Sequence, residues 1–198
     1  FERFRDPSVK MQQAYIYRGY FQEAKIVESV LPSIKRIVDD SLNIHSQSLS
    51  KKMFFRDDYK VLHIRAGDYY NNSGHKLGLL SDEYFEQINE IEIDVPLIVL
   101  TQDKRQILPL LNKIQPNFVL DGKDCDAWTT LSLMRNAKAF MGSNSSLSWW
   151  GARLNIRTDL IFMPSHWDDR GNTIYDINLS FRGCRYMQAK WKDKYDIQ

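Results

Sequence analysis

Cysteine is scarce in this 198-residue chain: Cys125 and Cys184 are the only two, and no C-x-x-C occurs, so neither a disulfide framework nor a structural zinc site is expected. A reducing, cytoplasmic setting is the default for such usage. Long apolar runs are also missing; the longest, such as Val95–Leu100 and Leu160–Pro164, fall far short of the roughly 20 residues that span a bilayer. Charge of one sign is not in excess, because 27 Lys and Arg stand against 25 Asp and Glu. A basic nucleic-acid-binding surface is therefore not indicated. With 9 Gly, 6 Pro and no repeat or low-complexity tract, disordered and collagen-like classes drop out. No G-x-G-x-x-G, Walker A loop or G-x-S-x-G elbow is present, and His45, His63, His75 and His166 show no metal-ligand spacing. The chain opens at Phe1 with neither an initiator Met nor a signal-peptide pattern, and its natural start is expected upstream.

What remains is an apolar content of 43%, enough for the core of one large domain or parts of two. Ala24, Val27, Leu31, Ile34 and Val38 alternate at three and four, one face of an amphipathic helix, with Pro32 expected to kink or divide it. Residues 41–58, rich in Ser, Lys and Asp, read as a linker, which divides the chain into a helical part, 1–56, and a second domain, 57–198. Beyond it the rhythm changes. Short apolar runs at 60–64, 96–101, 117–120, 138–141 and 159–163 alternate with helical patterns starting at Ser81, Asp103, Asp126 and Ser145. Pro109 is expected to end or bend the second of these helices. Such alternation specifies a parallel sheet with crossover helices, an α/β, Rossmann-like domain. Its ligands belong at the carboxyl ends of strands, so the loops after Ile64, Leu100 and Met141 are the places for chemistry.

The first loop reads His63-Ile64-Arg65-Ala66-Gly67-Asp68. Arg65 is placed either to grip a phosphate through its planar fork or to close a turn by pairing with Asp68. The third, Gly142-Ser143-Asn144-Ser145-Ser146, has more polar residues than one helix cap needs, which favours an anion site at a helix N-terminus. Trp149 and Trp150 just after it are expected to pack. Asp103 suits a guanine contact or a helix cap, and on local residues the cap is preferred. Asp124-Cys125-Asp126 has a D-x-D spacing, but Asp126 is a natural N-cap and metal binding is not expected.

Together, Gly19-Tyr20-Phe21-Gln22, Val61–Tyr69, Leu131-Ser132-Leu133-Met134 and Ser143–Ala152, followed by Pro164 and Trp167, resemble the family 11 glycosyltransferases, the bacterial α-1,2-fucosyltransferases. The resemblance implies a GT-B-type architecture in which the Rossmann-like domain follows a helical remnant of an acceptor-side domain. It implies a GDP-β-L-fucose donor, a galactose-containing glycan acceptor, inversion, and no metal or other cofactor. It also implies a cytoplasmic enzyme compatible with peripheral attachment to the inner membrane face. Arg65 would bind the β-phosphate, His63 and Asp103 the guanine, and Ser143, Asn144, Ser145 and Ser146 with their helix the diphosphate. Asp68 is a candidate base or a structural turn residue. Two departures stand out: the family's H-x-R-R-x-D has Ala66 for its second Arg, and no G-L-G-N-Q-type segment precedes Gly19. A member lacking the start of its N-terminal domain, active or weakened, is the expectation. Residue alternation at a strand exit sends position 66 away from Arg65, so Ala66→Arg is expected to preserve or raise transfer.

Overall fold

The computed structural model describes residues 23–52, 58–67 and 78–192. Six parallel strands form one sheet: β1 Lys60–Ile64, β2 Leu97–Thr101, β3 Phe118–Leu120, β4 Ala139–Met141, β5 Ile161–Pro164 and β6 Cys184–Met187, in the order β3-β2-β1-β4-β5-β6. Among the described residues five α-helices accompany them: α1 Ala24–Lys52, α2 Asp82–Glu86, α3 Leu108–Ile114, α4 Ala127–Arg135 and α5 Ser146–Leu154. Successive strand residues point to opposite faces, and each face has its own core. Val61, Ile98, Leu100, Phe140, Ile161 and Met163 pack with Ala24 and Val27 of α1, Leu133 and Met134 of α4, and Trp149 and Ala152 of α5. Leu62, Ile64, Val99, Met141 and Phe162 pack on the other side with Tyr84 and Phe85 of α2 and Leu110 and Ile114 of α3. None of the described helices is long and apolar enough to cross a membrane.

The expected strands appear, β1 with the bounds read from its apolar run, and β6 is an addition. Two expectations change, and a third is narrowed. Of the kinked or divided helix expected at Pro32, the division does not occur: α1 runs 29 residues through it. Pro32 and Glu28 both lie on the exposed side, where the carbonyl that loses its amide partner can turn to water. The linker expected from residue 41 is helical as far as Lys52, since elongating a formed helix through polar residues costs only tenths of a kcal/mol per residue. Pro109 begins a helix rather than ending one: a 3₁₀ turn, Lys104–Ile107, precedes it, and the proline sits in the first turn of α3, where no intrahelical donor is needed.

The order of strands reverses between β1 and β4. These two pair at Lys60–Ala139, Val61–Phe140 and Leu62–Met141 only, whereas β1 continues beside β2 to Ile64–Thr101. The ladder between the two half-sheets therefore stops two residues before β1 does.

Candidate active site

In an open parallel sheet the point of reversal leaves a crevice beyond the strands' carboxyl ends, because the connections on either side turn away from each other. Here the loop 65–67 leaves β1 on one side and Gly142–Ser145 leaves β4 on the other. His63, on the α5 face of β1, is buried, and its Nδ1 lies 2.5 Å from the Oγ of Ser148. Ser148 Oγ also accepts the backbone N–H of Ser143 at 3.1 Å, and the two serine oxygens are 3.3 Å apart. Ser143 Oγ in turn accepts the backbone N–H of Arg65 at 3.2 Å. Side-chain hydroxyls thus bridge the seam where the strand ladder has ended. Gly142 permits this approach: a Cβ there would meet Met163 Sδ at 2.5 Å and Ser148 Cβ at 3.0 Å.

Burial first, and the charge of Arg65 second, lower the pKa of His63 to about 3. The ring is neutral in the folded protein and Arg65 is the cation at this crevice. Between about pH 3 and 6.5 the unfolded chain binds more protons at this position than the folded one. The resulting stability is full above about pH 6.5 and is lost as pH falls toward 3. Replacing His63 with Gln is expected to flatten the dependence of stability on pH in that window, measured by urea denaturation; an unaltered slope would assign it to other groups.

The polar loop divides its work. Asn144 is buried, and its Nδ2 donates to the carbonyls of Gly78 (3.3 Å) and Trp167 (3.2 Å), so it ties the β4 exit to two other segments. Ser145 stands at the N-cap of α5 without a side-chain cap bond of its own, and Ser146 opens the helix. Trp149 is fully buried, with Nε1–H donating to Leu179 O at 2.8 Å, and stacks edge-on with Trp150, the packing role expected of both.

Asp103 caps the 3₁₀ turn by accepting Arg105 N–H at 3.0 Å, and its two oxygens also take Arg105 Nε and NH2 at 3.0 and 2.7 Å. Those bonds hold its carboxyl at about 2. It lines a cleft of about 200 Å³ with Gln102, Lys104, Asp121, Lys123 and Asp124, beyond β2 and β3 and beside the crevice. Gly67 joins the two places: its N–H donates to Gln106 Oε1 at 2.6 Å, and its φ of +71° favours glycine. Asp126 is the N-cap of α4, accepting Thr129 N–H at 2.7 Å. Asp68 lies outside the described residues.

Ala66 is fully buried, in the apolar cluster on the face opposite His63. The alternation expected at the strand exit holds, and the burial of position 66 means that an arginine there would have to displace apolar neighbours such as Leu62, Ile64 and Tyr84. Ser148 and Gln106 were not expected at the site. Only their spacing from Ser145 and Asp103, three residues along a helical turn in each case, hinted that they share a face with the loops.

The chain matches the family model described as Glycosyl transferase family 11 over residues 3–178. It is 28% identical over 182 residues to the O-antigen biosynthesis glycosyltransferase WbnK of Escherichia coli, covering 84% of this chain and 60% of that protein. It is 28% identical over 143 residues to an alpha-1,2-colitosyltransferase of Escherichia coli, covering 66% of this chain and 48% of that one. The chain therefore spans about half to three fifths of these relatives. No solved structure matches.

Proposed function

The chain belongs to glycosyl transferase family 11, and from that premise we propose that it serves to move L-fucose from GDP-β-L-fucose to a galactose hydroxyl of a glycan, with inversion to an α-1,2 linkage. The acceptor oxygen attacks the anomeric carbon opposite the diphosphate, the bond to the phosphate oxygen breaks, and its electron pair leaves on GDP. The acceptor's proton passes to a base, for which Asp68 is proposed from the sequence. Charge grows on the diphosphate as the sugar becomes oxocarbenium-like, so a fixed cation there stabilises the transition state more than the bound donor. Arg65 fills that role, and Ser145 with the first turn of α5 adds donors. No metal or other cofactor enters this scheme.

The observation that carries the proposal is the placement of Arg65 and the N-terminus of α5 on the two sides of the strand-order reversal. His63 and the cleft at Asp103 are assigned to the base. Guanine can reach the Asp103 carboxylate by displacing Arg105, a small cost because that side chain is 77% exposed. Likeness to an O-antigen biosynthesis glycosyltransferase supports a bacterial surface polysaccharide as product. A second reading, another donor sugar on the same site, is favoured by the relative named as a colitosyltransferase. Calorimetry on the full-length protein with GDP, UDP and ADP, in EDTA and again with manganese, tests the donor. GDP is expected to bind most tightly, equally in both; preference for UDP would remove His63 and Asp103 from the base site, and a manganese requirement would return Asp124 and Asp126 as ligands.

A further inference from the structure

Ser148 is fully buried and has three neighbours able to share its one proton and two lone pairs. One lone pair takes Ser143 N–H at 3.1 Å. The hydroxyl proton then has two possible acceptors: His63 Nδ1 at 2.5 Å or Ser143 Oγ at 3.3 Å. A separation of 2.5 Å is short whichever of the two atoms donates, so the count of donors and acceptors along the chain decides the direction. Ser143 Oγ already accepts Arg65 N–H, so its own hydroxyl can turn to the remaining lone pair of Ser148. The chain closes with every group used. It leaves Nδ1 as acceptor and puts the imidazole proton on Nε2.

From this geometry we propose that Ser148 is a positioning residue of the nucleotide-sugar site, which locks His63 in the Nε2–H tautomer so that the ring meets the donor nucleotide as a neutral hydrogen-bond donor. The proposal rests on the nucleotide-sugar reading above. Of the three side chains in the chain, Ser143 and Ser148 have no exposed surface and His63 keeps 5%, so the histidine is the one nearest the surface of the crevice. The phosphate and carbonyl oxygens of a nucleoside diphosphate are acceptors only. A ring presenting a bare lone pair would repel them, while an N–H adds a bond without adding a second charge beside Arg65.

The test uses the full-length protein and GDP. Nitrogen-15 NMR of the His63 ring is expected to show a protonated Nε2 and a bare Nδ1; the opposite pattern overturns the proposal whether or not GDP binds. Replacing Ser148 with Ala is expected to weaken GDP binding about tenfold, the scale of one lost hydrogen bond. It is also expected to release the tautomer preference. If Ser148 acts through His63, S148A added to H63Q weakens GDP binding no further than H63Q alone. Additive losses, or S148A binding GDP like the wild type with the tautomer unchanged, would reduce Ser148 to a packing residue. Should S148A fail to fold, the ring spectrum of the wild type decides alone. Failure of the wild type to bind any nucleotide would sink the donor reading, and the tautomer result would stand apart from it.

Discussion

Transfer by the full-length protein is expected to fall about 10²- to 10³-fold on Arg65→Ala, the loss found when one preorganised donor to a developing negative charge is removed. The physical basis is the fixed placement of the residue. Its backbone N–H is held by Ser143 Oγ, and its charge lies close enough to His63 to help keep that ring neutral. GDP affinity should fall less than the transfer rate, because the diphosphate carries more charge at the transition state than in the bound donor. Arg65→Lys should recover part of the loss, since a point charge remains but the planar fork does not. The comparison needs a sugar-transfer assay and a GDP titration on the same preparations. Near-normal transfer by Arg65→Ala would move the phosphate contact to the loop from Ser143 to Ser146.

The second large effect is on stability. Ala66→Arg is expected to destabilise the fold by about 3 kcal/mol, because it forces a long charged side chain into closed apolar packing. Ala66 shares its cluster with Leu62, Ile64, Leu80, Tyr84 and Met141. Either the charge stays buried or the loop after β1 must leave its contact with Gln106, and both are costly. Urea denaturation of the two proteins gives the difference directly. A variant as stable as the wild type would show that the exit of β1 can reopen, and would restore position 66 as a place for the second arginine of the family's usual motif.

Much of the frame was legible because the sheet is parallel and covered on both sides. Buried strands such as β2, with all five residues inside, stand out as short continuous apolar runs. The edge strand β6 does not: Cys184–Met187 is only partly buried, and Arg185 interrupts the pattern. Pro32 leaves α1 undivided and Pro109 starts a helix rather than ending one, for a shared reason. Proline excludes a donor, and whether that matters depends on where the neighbouring carbonyl points and how far along the helix it falls, neither of which is local information. At the site, strand ends located Arg65 and the Ser-rich loop, since a loop leaving a strand can be read from the strand. The bonds within it could not be read. His63 and Ser148 are 85 residues apart, and nothing in either segment names the other. Asp103 shows the converse: its local competitor, the cap, was read correctly and is the bond that forms.

The early end of the ladder between β1 and β4 bears on how such a crevice can diversify. Where strands remain paired, their spacing is set by backbone rungs and no substitution can retune it. Past Leu62 and Met141 the two half-sheets are spanned by Ser143, Ser148 and His63 instead, and Gly142 leaves no spare volume beside them. The gap is consequently encoded in side chains. Single residue changes at those few positions can widen, narrow or re-aim it while the scaffold keeps its shape, so selectivity for a nucleotide sugar can drift without renegotiating the fold.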